Sequence, residues 1–153
     1  MRRRPEDALQ IRVASWLDDR DPDTDLPLPL DQHRRLHWCH VPNEGKRSPQ
    51  QGALQRAKGL KAGIPDVLIF EDWWGACENL DELDCCGCDG CLGHGIAIEL
   101  KVKPNRVQPG SSQDVMLRRF EERGWLTAVC YSLEEVQEVC GAIRGYRERR
   151  EHE

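Results

Sequence analysis

Apolar and polar residues change period several times along this chain, and each change marks an element. Between Pro5 and Asp18 the apolar residues Leu9, Val13, Trp16 and Leu17 recur at helical spacing, behind a proline that a first turn tolerates, which predicts a helix. At about 100° per residue, Glu6 projects between Val13 and Leu17 on that stripe, with Gln10 at its edge. A carboxylate on a buried stripe needs a partner, although an acid in a first turn also suits the helix dipole. Leu36 to Val41 reads as a short strand, Pro42 to Ser48 as a polar turn, and Pro49 to Leu60 as a basic helix ending near Gly59 and Gly63. Pro65 to Phe70 is an apolar strand opened by one acid, and Gly95 to Val102 a second that carries Glu99 and Lys101. Ser112 can cap a helix from Gln113 to Arg123, closed by Gly124. Trp125 to Tyr131 is a further apolar strand, and Ser132 with Glu135 makes a capping box for a last helix. The charged tail from Arg144 to Glu153 is expected to fray. The order α-β-α-β-β-α-β-α predicts an α/β fold, a mixed sheet flanked by helices on both faces.

Composition narrows this picture. The 153 residues suit one domain over 1–153 with a small insertion. A mean hydropathy of -0.69, with 39% hydrophobic and 32% charged residues, argues for a soluble globular chain rather than a membrane or disordered one. Met1 to Gln10 is basic and polar with no apolar stretch behind it, so neither a secretory signal nor a spanning helix is expected, and the expected location is the cytoplasm. The formal net charge of -5 argues mildly against a polyanionic partner.

That charge is unevenly spread. From Arg34 to Lys61 there are seven basic residues, Arg34, Arg35, Lys46, Arg47, Arg56, Lys58 and Lys61, against the single acid Glu44. From Glu71 to His94 there are seven acids and no lysine or arginine. Taking those seven from the 27 acids leaves 20 against 22 basic residues, so the rest of the chain is slightly basic. A second acidic patch, Asp18 to Asp31, is rich in proline and reads as a surface loop.

Five of the eight cysteines, Cys77, Cys85, Cys86, Cys88 and Cys91, fall in the same acidic insert, 71–94, with His94 close behind. A disulfide framework is not expected in a reducing compartment. Cys88-Asp89-Gly90-Cys91 has the spacing of a tight chelate loop, so the insert reads as a structural zinc knuckle rather than a bare thiol loop or a redox pair. Cys77, Cys85 or Cys86, Cys88 and Cys91 supply four ligands, with His94 as a substitute; spacing leaves the choice of four open. Cys39, Cys130 and Cys140 sit in apolar runs and are expected to be small core residues.

The chemistry concentrates on the two strands that flank the insert. Side chains alternate along a strand, so Glu99 and Lys101 share one side while Leu100 faces the core. Ionisable groups inside isoleucine-rich strands are costly unless paired or bound to metal. Asp66 and Glu99 from adjacent strands offer the hard oxygen ligands that Mg²⁺ or Mn²⁺ takes, leaving positions for water and phosphate. A lysine two residues after the second acid can hold or deprotonate an attacking water and offset charge at phosphorus. These are the parts of a phosphodiester-cleaving site. An Asp-Lys-Glu salt-bridge cluster at a sheet edge would account for the charges but not for their placement.

Gly63-Ile64-Pro65-Asp66-Val67, then Ile98-Glu99-Leu100-Lys101-Val102, then Gln113, resembles the PD-(D/E)xK nuclease superfamily, which has a restriction-endonuclease-like core. The chain is similar in particular to the VRR-NUC domain, including its compact stand-alone members in bacteria and their phages. Glu6 and Gln10, the Val41-Pro42-Asn43-Glu44-Gly45 turn, and Gly124 followed by a strand and a Ser-Leu-Glu-Glu helix start extend the resemblance.

The resemblance implies that Asp66 and Glu99, with the backbone carbonyl of Leu100, hold a catalytic Mg²⁺ or Mn²⁺, and that Lys101 positions or activates water. It implies that Glu6 completes the metal site or its water network, and that Gln113 orients the lysine or the scissile phosphate; Gln10 matches more weakly. The expected partner is DNA, with flapped and branched forms among the substrates, acted on by a homodimer in a bacterial cell or phage-infected host. The basic residues Arg34 to Lys61, with Lys103, are expected to contact phosphates. The cysteine-rich insert departs from the compact pattern and bears on substrate choice. The rival reading is a non-catalytic nucleic-acid-binding or assembly protein of the same fold.

Overall fold

A computed structural model of the chain describes residues 4–42, 48–74 and 92–143. Helix α1 spans Pro5–Leu17, with proline in its first turn beside Glu6 and Asp7, and buries Leu9, Val13, Trp16 and Leu17. Strand β1 is Trp38–His40, α2 Pro49–Ala57, β2 Val67–Ile69, β5 Ile96–Leu100, α3 Ser112–Glu121, β6 Leu126–Cys130 and α4 Leu133–Cys140. Two short strands, β3 Trp73–Trp74 and β4 Leu92–Gly93, lie between β2 and β5.

The main sheet has the order β1-β2-β5-β6, antiparallel at its first two junctions and parallel between β5 and β6. It is therefore mixed, as the pattern predicts. All five residues of β5 are buried, which fits a central strand covered on both faces. With Val67 opposite Ile98 and Ile69 opposite Ile96, alternation puts Val67, Ile69, Ile96, Ile98 and Leu100 on one face. That face packs with Val13, Trp16 and Leu17 of α1 and Val136 and Cys140 of α4 to form the core. Asp66, Ala97 and Glu99 belong to the other face, over which α3 lies.

Several boundaries differ from the sequence expectation. The strands are shorter, although single backbone bonds run past their ends, from the Val41 N–H to the Asp66 carbonyl and from the Phe70 N–H to the His37 carbonyl. The cap of α3 is Ser111 rather than Ser112: its hydroxyl accepts from the Asp114 N–H, one residue ahead of the serine that the pattern favours. Ser132 does cap α4, accepting from the Glu135 N–H, while Glu135 accepts from the Tyr131 N–H. Cys39 is exposed, not in the core, because β1 is the edge strand and Cys39 points to its uncovered face. Cys130 and Cys140 are buried as expected, and burial pushes both thiols up to about 12.

The β3–β4 pair is an element that the sequence does not announce. Trp73 pairs with Gly93 and Trp74 with Leu92, so the ends of segment 75–91 are held side by side. A Cβ on Gly93 would fall 1.7 Å from the Trp73 indole nitrogen, so only glycine lets the indole lie across that strand. Trp73 also bridges to Ile143 and donates from Nε1 to the Gly124 carbonyl at 3.2 Å. Cys77, Cys85, Cys86, Cys88 and Cys91, Lys46 and Arg47, most of the 42–48 turn and the 144–153 tail lie outside the described residues. Among the described residues no helix is long and apolar enough to cross a membrane.

Candidate active site

Continuing the β2–β5 register by one residue sets Asp66 across from Glu99 on the face that α3 covers. Directly opposed side chains of an antiparallel pair have Cβ atoms about 5 Å apart, so two carboxylates meet there. Both are buried, Asp66 to 3% exposure and Glu99 to 1%. Asp66 Oδ2 accepts from the Leu100 N–H at 2.9 Å, which ties the first acid to the strand that carries the second. Glu99 Oε1 accepts from Lys101 Nζ at 2.5 Å and from Gln113 Nε2 at the start of α3.

The approach of Gln113 depends on Gly63. Its φ is +78°, and a Cβ there would lie 2.1 Å from the Ser112 carbonyl oxygen and 2.6 Å from the Gln113 nitrogen. The loop that leads into Asp66 thus rests directly on the first turn of α3, and glycine supplies both the conformation and the space. One sequence run, Gly63 to Asp66, sets an acid on the sheet and seats the helix that reaches it.

Burial pushes the Asp66 carboxyl up. The Leu100 hydrogen bond and the charges of Lys101 and His40 pull it back in part, and Glu6 adds to the rise. Burial alone would lower Lys101, but its bond to Glu99, with the charges of Glu99, Asp66 and Glu6, holds it above the ordinary lysine value. In this state Lys101 is a fixed cation that can orient a water or a phosphate oxygen, not a free base.

The two buried carboxylates offer oxygen donors only, which is the chemistry of a small hard cation rather than of a thiolate-bound zinc. Among the described residues no three His, Cys, Asp or Glu side chains converge as a closed metal cage. The donor set fits Mg²⁺ or Mn²⁺ held in part by water and substrate, the manner in which Mg²⁺ is usually bound.

A solved structure described as a VRR_NUC domain protein is similar to this chain, with a TM-score of 0.56 over 92% of this chain and 88% of that one at 22% sequence identity. The chain shares that fold. No family model matches the sequence, and no curated protein does.

The other candidates take varied places around this core. Glu6 is half-buried and accepts from Asn105 Nδ2 at 3.2 Å, near enough for its charge to act on both Asp66 and Lys101. Gln10 lies against the ring of His40, its amide nitrogen 3.0 Å from Nε2, and His40 Nδ1 donates to the Asp66 carbonyl at 3.0 Å. That carbonyl also accepts from the Val41 N–H at 2.9 Å. His40 and Asn105 escape the sequence reading. His40 stands just before the Val41 to Gly45 turn, which is a usable signal, whereas nothing marks Asn105 in its polar loop.

The basic set divides. Lys58, Lys61, Lys103 and Arg35 are exposed, with Lys103 Nζ 5.9 Å from the centre of the Tyr131 ring. Arg34 is turned inward instead. Its guanidinium stacks 4.4 Å above the Trp16 ring, donates to the Trp16 carbonyl at 3.0 Å and pairs with Asp19 at 3.3 Å. It ties the chain before β1 to the end of α1, so a count of charges overstates the open basic surface by at least this residue. The side chain of Arg56 lies outside those described. His94 is exposed, its backbone N–H on the Gly124 carbonyl at 2.9 Å.

Proposed function

We propose that this chain is a metal-dependent nuclease of the VRR-NUC type that hydrolyses phosphodiester bonds in DNA, with flapped or branched DNA as its substrates and a homodimer as its working form. The observation that carries the reading is the meeting of buried Asp66 and Glu99 across one strand pair, with Lys101 and Gln113 on the second acid. A core that needed only stability would not put two carboxylates there, since burying them costs free energy.

Asp66, Glu99 and the Leu100 carbonyl would hold Mg²⁺ or Mn²⁺, with Glu6 at the edge of the site through bound water. When bound, the cation supplies Lewis acidity at a phosphoryl oxygen and makes a water more acidic. Lys101 then orients the water oxygen toward phosphorus and offsets the negative charge that grows on the non-bridging oxygens. Gln113 keeps Lys101 and Glu99 in register. The attacking water forms the new P–O bond, the P–O bond to the leaving strand breaks, and the leaving oxygen takes up a proton. In the insert, four of Cys77, Cys85, Cys86, Cys88, Cys91 and His94 would hold a structural zinc, a reading supported by their spacing and by the paired strands that close the 75–91 segment.

The test is cleavage of linear, nicked, flapped and four-way DNA side by side with Mg²⁺ or Mn²⁺. Asp66→Ala and Glu99→Ala should each lower the rate by about a thousandfold or more, as the loss of a metal ligand and its charge stabilisation does. Unchanged cleavage by either variant would remove the site assignment. Binding without cleavage by the wild-type chain would favour the non-catalytic reading.

A further inference from the structure

A cluster of aromatic rings lies on the same face of the sheet as the two acids. Phe70 follows β2 and is 52% exposed, more than a core phenylalanine would be. It meets Trp125 edge-on at 5.8 Å between ring centres, and Trp125 meets Phe120 of α3 at 5.0 Å. Beside Phe120 is a cavity of about 270 Å³ lined by Met116, Arg119 and Phe120 of α3 and by Arg123 just past its end. Among the described residues neither Arg119 nor Arg123 has a carboxylate partner, while Arg118, on the opposite side, pairs with Asp114 at 3.1 Å.

The distance from the acids can be read along two elements. From Asp66 to Phe70 is four residues of extended chain, about 13 Å. From Gln113 to Phe120 is seven residues of helix, about 10 Å. Stacked bases advance about 3.4 Å each along one strand, so the rings stand about three nucleotides from a phosphate at the acids. Between the two ends, on the β1 and β2 side of α3, Cys39 is exposed and Leu68 half-buried among the described residues.

We propose that Phe70, Phe120 and Trp125, with Arg119 and Arg123, form a contact surface for the unpaired bases of a DNA strand whose phosphate is held at the acids. The inference rests on the nuclease reading and deepens it by naming the surface that would hold a strand unpaired near the cut. The charge favours this occupant over a protein: a stacking surface bordered by two exposed guanidinium groups, neither paired with a carboxylate among the described residues and Arg123 donating to the Arg119 carbonyl at 3.1 Å, suits bases and phosphates together. Base pairs inside a duplex are already stacked on both faces and only its two terminal pairs expose one, so a blunt duplex should gain little from them.

Binding is measured by fluorescence anisotropy on the full chain without added divalent cation, using a labelled oligothymidylate and a blunt duplex. The variants are Phe70→Ser and the double change Arg119→Gln with Arg123→Gln, all at exposed side chains, with thermal melts to show that the fold is kept. Each variant should weaken single-strand binding by about tenfold, the loss of one stacked base or its equivalent, and change duplex binding by less than about twofold. Wild-type single-strand affinity in the variants overturns the proposal and leaves the nuclease reading standing. Equal weakening on both probes also overturns it, since the arginines would then serve as general phosphate contacts. A variant that dissociates the chain in sedimentation without losing DNA affinity makes the patch a contact between copies. A wild-type chain that binds neither probe and cuts no DNA brings down the nuclease reading as well.

Discussion

Asp66 is destabilising where it stands, because burial favours its neutral form. Its native carboxyl lies above the ordinary value of 3.8. Below that value both the folded and the unfolded chain hold the proton and nothing is lost; as pH rises through the raised native value, stability falls to a lower plateau. Asp66→Asn keeps an acceptor for the Leu100 N–H and removes the charge. Without divalent cation it should therefore melt at a higher temperature than the wild type at neutral pH, with the difference closing as pH falls below 3.8. A wild type more stable than the variant at neutral pH would show that the charge is compensated. His40 acts on the same residue through the backbone. Removing its bond to the Asp66 carbonyl in His40→Ala should lower the cleavage rate by about 10- to 100-fold, the usual cost of losing a group that orients a ligand, with little change in melting temperature. His40→Asn, which retains a short N–H donor, should recover most of the loss in a rate assay.

At the scale of elements, the seat of α3 on the loop before β2 is the contact that assembles the site. Gly63→Ala must place a Cβ inside the Ser112 carbonyl at a positive φ, so α3 must move and Gln113 with it. The expected result is a loss of about 2 kcal/mol or more in urea unfolding, together with slower cleavage. Equal stability would show that the loop gives way instead. The order of elements was legible because each main-sheet strand lies in a largely apolar run and each amphipathic helix has its own stripe, cap or closing glycine. The acids were legible because Asp66 and Glu99 interrupt such runs. What was not legible depends on partners far away in sequence. Arg34 counts as a free charge until Trp16 is seen beneath it, Cys39 reads as core until β1 proves to be the edge, and β3 and β4 are too short to show any period.

At the scale of the molecule, the net charge of -5 is an average over two unlike parts, a slightly basic main sheet with its helices and an acidic, cysteine-rich insert. The protein purified under reducing conditions should carry about one zinc per chain, from a four-ligand site, and Cys88→Ser with Cys91→Ser should carry none by elemental analysis. Wild-type protein free of zinc would end the knuckle reading without touching Asp66 or Glu99. The paired strands at the root of the insert have a further meaning. They form a ladder of their own, bonded to the Gly124 turn and to Ile143 but not to the main sheet. The two ends of the segment between Trp74 and Leu92 are therefore clasped together, so a change in the length of that segment need not alter the spacing of the two acids.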